Sequence, residues 1–349
     1  MPLVELKRAR AGPYDADRRP GVGGRNDLFR LPLIWNCREA LSGTGHARCR
    51  DLDTAFGMMT KKPSARGPIM LLRIFLALVT SCAAGLAAAD AIAAEPSSGC
   101  GAPPTRPPET FHVAGRERHA IVVLPEAYRA DQPHALVFAF HGRTNDNLRA
   151  RRYFGLEEAA HGSTIFVYPA ALRDRTGGFA WADPGDPPDA LRDYALFDVI
   201  LDRITSAYCI DLGAVYVVGH SLGASFANSL ACARAERIRG VASVAGGIAP
   251  SGCSGGVAAL LLHNPHDRVV PLVEGERARD VLLGHPGDGD KWVGRRIGVF
   301  ECHRYGDTEN PLFWCLYAQD ITPHGRYHPH QWPEGAAQGI IEFFDLLVG

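Results

Sequence analysis

The sequence predicts an α/β protein with a mostly parallel sheet covered by helices on both faces. Two observations carry this. Short apolar runs at Ala135 to Phe140, Thr164 to Tyr168, Ala214 to Val218, Val241 to Val244 and Val257 to Leu262 alternate with helical stretches, the longest running from Ala190 to Tyr208. Strands without polar alternation belong between two helical layers, because both of their faces must be dry.

Each element has a local reason. Pro103, Pro104, Pro107 and Pro108 make an extended lead-in, and Phe111 to Val113 with Arg118 to Leu124 reads as a hairpin around Ala114-Gly115. The last helix is expected from Ala336 to Leu347. Pro333 suits its first turn, and Ile340, Ile341, Phe344 and Leu347 share one face. Gly284 to Gly294 reads as a mobile surface loop, and no internal repeat or separate binding module stands out.

The feature that points to chemistry is Gly219-His220-Ser221-Leu222-Gly223, which follows the apolar run Ala214 to Val218 and opens the small-residue helical stretch Ala224 to Ala235. A serine in a sharp strand-to-helix turn presents its hydroxyl above the sheet edge. Small residues two before and two after it are then required, because neighbouring backbone passes close. Ser221 is the candidate nucleophile. The amide of Leu222, at the start of the helix, points where an oxyanion would form.

A serine nucleophile needs a base and an orienting acid, which in the α/β-hydrolase fold follow in the order Ser, Asp or Glu, His. Asp267 lies in a loop just past the strand Val257 to Leu262, and His330 lies in the loop entering the last helix. His328 is a second histidine two residues away and competes for the role of base. Asp198 and Asp211 are read as an ordinary helix and loop residue. Trp181 either lines an aromatic substrate cleft or packs inside, and Trp332 is a further candidate for lining the cleft.

The segments Phe140-His141-Gly142-Arg143-Thr144-Asn145-Asp146, Gly219 to Gly223, His266-Asp267-Arg268-Val269-Val270-Pro271 and His330-Gln331-Trp332-Pro333 resemble the polyhydroxybutyrate-depolymerase-type esterases, which include feruloyl and acetylxylan esterases. The resemblance spans roughly residues 98 to 349. It implies an α/β-hydrolase fold, a Ser221, Asp267 and His330 triad, an oxyanion hole from the backbone amides of Arg143 and Leu222, and no cofactor. It favours His330 over His328. Together with the Ser98 to Gly101 opening it points to feruloyl esters of plant polysaccharide, with polyhydroxybutyrate depolymerisation and xylan deacetylation as rivals in the same chemistry. A catalytically silent α/β-hydrolase serving as a binding protein is the reading from another class.

The amino-terminal portion stands apart. Residues 58–94 carry Lys61, Lys62 and Arg66, an apolar stretch and Ala-x-Ala sites, the pattern of a secretory signal peptide. Val79-Thr80-Ser81-Cys82 also resembles a lipoprotein cleavage site, which would anchor the chain through Cys82. Residues 1–57 read as an upstream extension outside the fold, and residues 95–349 as one esterase domain in the secreted or periplasmic space. The 37 basic and 38 acidic residues give no case for nucleic-acid binding, and no stable protein partner is implied.

Of nine cysteines, Cys37, Cys49 and Cys82 lie in the amino-terminal portion, leaving an even six, as an oxidising compartment favours. No C-x-x-C motif supports a zinc or other metal site. Cys302 and Cys315 flank two β-rich runs, Arg296 to Cys302 and Leu312 to Tyr317, and are placed to bridge a hairpin. Cys209 and Cys232 both fall at the end of the sheet away from the serine, and Cys100 with Cys253 follows only by elimination.

Overall fold

A computed structural model describes residues 94–182, 186, 191–249, 256–284, 291–306 and 309–348. The predicted extension, the signal peptide apart from Ala94, Cys253 and most of the predicted loop at 284–294 lie outside the described residues. Among those described, no helix is long and apolar enough to cross a membrane.

Ten strands form one sheet. In chain order they are β1 (Thr110–Val113), β2 (Arg116–Val123), β3 (His134–Phe140), β4 (Thr164–Pro169), β7 (Ile210–His220), β8 (Gly240–Val244), β9 (Ala258–His263), β10 (Val293–Ile297), β11 (Phe300–Tyr305) and β12 (Leu312–Leu316). Their order across the sheet is β1-β2-β4-β3-β7-β8-β9-β12-β11-β10. The six from β4 to β12 are parallel, flanked by antiparallel pairs at both edges. β5 (Leu172–Arg173) and β6 (Phe179–Ala180) make a separate small hairpin.

Two hydrophobic cores follow from strand alternation. On one face Leu136, Phe138, Phe140, Val215 and Val217 pack with α3 (Arg192–Ala207) and α4 (Leu222–Ala233) through Phe197, Ile200, Phe226 and Leu230, and with Ala278 of α5 (Leu272–Leu283). On the other, Val137, Ala139, Tyr216, Val218 and Leu260 pack with α1 (Asn147–Phe154), the short α2 (Leu156–Ala159) and α6 (Ala336–Asp345), through Phe154, Leu156, Ile340 and Phe343. The fold is therefore the expected α/β-hydrolase arrangement.

The first hairpin turns at Ala114 and Gly115, both at positive φ. The run Arg296 to Cys302 is not one strand, because it turns at Gly298, φ 54°, between β10 and β11. β11 then pairs with β12, with Cys302 directly opposite Cys315, and the two form a disulfide. The other expected pairings are corrected. Cys209 bonds Cys100, not Cys232, because the segment at 95–100 runs beside the start of β7: Ser97 N–H donates to the Ile210 carbonyl (2.8 Å) and Leu212 N–H to the Glu95 carbonyl (2.8 Å). Cys100 is thereby unavailable to Cys253, and Cys232 is disulfide-bonded as well.

Candidate active site

The chain leaves β3 to build β4 on one side and later returns to build β7 on the other, so the carboxyl ends of β3 and β7 diverge at a topological switch point, where α/β sheets bind ligands. Ser221 sits there, between β7 and α4, at φ 59° and ψ −125°. A β-carbon on Gly219 would lie 2.2 Å from the Gly223 carbonyl oxygen, and one on Gly223 2.2 Å from that of Phe140. Both distances are far inside contact, so the turn closes only with glycine at these two places.

Asp267 follows β9, and its carboxylate is tied by three bonds. Its Oδ1 accepts from the amides of Val269 (2.8 Å) and Val270 (3.0 Å), and its Oδ2 faces His330 Nδ1 at 2.6 Å. His330, in the loop between β12 and α6, brings Nε2 to 2.7 Å from Ser221 Oγ. The Asp267 side chain is fully buried. Burial works to raise its pKa, but the hydrogen bond and charge of His330, with the two amides, outweigh it and hold the carboxyl below the ordinary carboxylate range. An ionised Asp267 fixes the proton on Nδ1 and leaves Nε2 to accept from the serine hydroxyl.

His328 is not part of this chain of bonds. Its ring lies edge-on to that of His330, centroids 6.2 Å apart, and its amide donates to the Asp320 carbonyl (2.7 Å). Burial, with His330 and Arg326 nearby, lowers its pKa.

Arg143 and Leu222 flank the serine from two elements. Leu222 is the first residue of α4, where amides have no intrahelical acceptor. Arg143 follows Gly142, whose added β-carbon would stand 3.2 Å from Ser221 Cβ, so the segment just after β3 passes directly against Ser221. Trp181 is a packing residue and not a cleft wall: it is buried, its ring stacks on Phe226 (5.0 Å), and its indole N–H donates to the His141 carbonyl (2.8 Å). Trp332 is half-buried and stacks on Phe154 at 4.2 Å.

Sequence reasoning assigned no role to the residues that hold the loops. Asn264, fully buried, donates to Asp320 Oδ1 (2.9 Å) and accepts from the His266 amide (2.8 Å), shaping the turn that carries Asp267. Its place before Pro265 marks it as a turn residue. The Tyr317 hydroxyl donates to the Gln331 carbonyl (3.0 Å) beside His330, and no local signal announces it. His220 packs its ring on His330 (5.3 Å, 28°) with Tyr153 OH 3.0 Å from its Nδ1; burial and the neighbouring His330 push its pKa down to about 3. No group of three or more acidic, histidine or cysteine residues suited to a metal occurs among the described residues.

Comparison with known proteins agrees with this architecture. Residues 112–314 match the family described as "Putative esterase". "Probable feruloyl esterase C" of Aspergillus terreus is 34% identical over 208 residues, 57% of this chain and 72% of that protein. "Feruloyl esterase D" of Neurospora crassa is 30% identical over 300 residues, 78% of this chain and 96% of that protein. Among solved structures, an acetyl xylan esterase from Aspergillus awamori aligns with a TM-score of 0.51 at 14% identity over 66% of this chain and 94% of that one, a likeness of fold. The chain belongs to this esterase family, with feruloyl esterases among its relatives, and is a carboxylic ester hydrolase.

Proposed function

We propose that the chain is a secreted serine esterase that cleaves feruloyl esters of plant polysaccharide through an acyl-enzyme. The observation that carries the mechanism is the continuous run of short contacts Ser221 Oγ, His330 Nε2, His330 Nδ1, Asp267 Oδ2. Ser221 Oγ attacks the ester carbonyl carbon while its proton passes to His330 Nε2. Asp267 holds the resulting imidazolium, and the amides of Arg143 and Leu222 donate to the oxyanion. The alcohol leaves with the proton from His330. Water then loses a proton to the same nitrogen and attacks the acyl carbon; the bond to Ser221 Oγ breaks, His330 returns the proton to that oxygen, and the acid leaves.

The substrate class rests on the feruloyl esterases among the relatives, and secretion is supported by the disulfides and by the signal-peptide pattern at 58–94. The test is hydrolysis of methyl ferulate, 4-nitrophenyl acetate and a hydroxybutyrate oligomer by the wild type and by Ser221→Ala. Methyl ferulate is expected to give the highest kcat/KM, and Ser221→Ala to lose about 10⁴-fold or more in kcat without unfolding. Retained activity in that variant refutes the mechanism. A preference for the oligomer refutes the substrate class alone.

A further inference from the structure

Charges are rarely buried without a use, because the loss of hydration can exceed what their mutual attraction returns. Arg118, on β2, and Asp193, in the first turn of α3, have side chains no more than 1% exposed, with Arg118 Nη2 2.6 Å from Asp193 Oδ1. Arg118 Nε and Nη1 find no partner among the described residues. Stability alone is a poor account of a pair so incompletely satisfied. What the pair grips is more informative.

Arg118 Nη2 also donates to the Ala170 carbonyl (2.9 Å), and Asp193 Oδ2 accepts from the Ala182 amide (2.7 Å). The ion pair therefore holds both ends of the loop 170–182, which contains the β5–β6 hairpin. From inside that loop, three donors reach the segment after β3. The Ala171 amide donates to His141 Nε2 (3.0 Å), the Trp181 indole to the His141 carbonyl (2.8 Å), and the Phe179 amide to the Arg143 carbonyl (2.8 Å). The Arg143 guanidinium reaches back to Asp174 and to Thr176 (2.8 Å). His141 and Arg143 bracket Gly142, whose added β-carbon would stand 3.2 Å from Ser221 Cβ, and the Arg143 N–H belongs to the peptide that leaves this glycine.

We propose that Arg118 and Asp193 are positioning residues for the oxyanion hole, acting through the loop 170–182 on the Arg143 amide. The inference rests on the reading of that amide as an oxyanion donor. A donor helps only if it is already aimed at the developing charge, so a small drift of the loop should weaken the transition state and leave ester binding alone.

The experiment measures kcat and KM on 4-nitrophenyl acetate for Asp193→Asn, Trp181→Phe and the double variant, per active site counted with an alkyl phosphonate that labels the nucleophile. Trp181→Phe keeps a ring on Phe226 and removes only the donor to His141. Each single variant should lose about ten- to a hundredfold in kcat with KM within about threefold, below the loss for deleting an oxyanion donor outright. A trifluoromethyl ketone, whose adduct carries the oxyanion, should bind more weakly by a similar factor. Links in series are not additive, so the double variant should be no worse than its worse single. Wild-type kcat per labelled site in Asp193→Asn, a loss confined to KM, or losses that multiply in the double variant overturn the proposal. If Asp193→Asn does not fold, Arg118→Lys replaces it, and a wild-type kcat in either Arg118→Lys or Trp181→Phe is then the overturning result. Phosphonate labelling anywhere but Ser221 refutes the underlying site instead.

Discussion

Replacing Asp267 by Asn tests the candidate site at its most constrained atom. The amide side chain is nearly isosteric, and its oxygen can keep the bonds from Val269 and Val270, which puts the new NH₂ where Oδ2 stood, 2.6 Å from His330 Nδ1. Two donors cannot face each other at that distance. The imidazole therefore moves its proton to Nε2, which then points a hydrogen at Ser221 Oγ instead of a lone pair. The base is lost while the fold persists, and a tautomer error of this kind costs about 10⁴-fold in kcat, or ~5.5 kcal/mol of transition-state stabilisation. Initial rates on methyl ferulate at neutral pH, with circular dichroism as the fold control, measure it. A second readout is stability against acid. The Asp267 pKa is depressed in the fold, so its contribution to stability is fully present above the unfolded value, about 3.9, and is lost as pH falls through the folded value. The Asn variant lacks this term, and its stability should fall less steeply below about pH 4. A variant keeping more than a tenth of wild-type kcat would refute the assignment of Asp267 as the orienting acid.

Three further outcomes are expected. His330→Ala should be as damaging as loss of Ser221, whereas His328→Ala should keep kcat within about tenfold, since only His330 meets both Ser221 and Asp267; reversed phenotypes would move the base to His328. His220 stays neutral above its pKa of about 3, so His220→Gln should leave the acid limb of the kcat/KM profile in place, and a displaced limb would show that His220 titrates with activity. Opening Cys100–Cys209, which spans 109 positions, should cost about 2 kcal/mol more than opening Cys302–Cys315, which spans 13, by loop-closure entropy; equal losses in thermal melts of the two Cys-to-Ala pairs would show that local packing outweighs chain entropy.

The parts of this molecule that were legible beforehand are those governed by local rules. Gly219 and Gly223 announce a turn that no larger residue can close, and the five buried parallel runs are apolar because both faces are covered. β7 nonetheless begins at Ile210, four residues earlier than its apolar run, because Asp211, Leu212 and Gly213 sit where the amino-terminal segment pairs with the strand. That same segment decides the partner of Cys209, and nothing in its own sequence says where it docks. Trp181 could not be assigned because a cleft wall and a core position ask for the same ring; only Phe226 and the His141 carbonyl, 45 and 40 positions away, distinguish them. Arg118 and Asp193 look in sequence like ordinary solvent-facing charges, and their burial follows from the meeting of β2 with α3.

The backbone of Ser221 has a consequence for engineering. A non-glycine residue at φ 59° and ψ −125° is held by its surroundings against its own preference. The proposed nucleophile is thus mounted on one of the molecule's least comfortable residues. A selection that rewards heat resistance without rewarding turnover would drift toward glycine at this position, relieving the strain and deleting the hydroxyl in one step. Libraries built on this scaffold should therefore screen for hydrolysis at every round, because survival alone favours a sturdier protein with an empty turn.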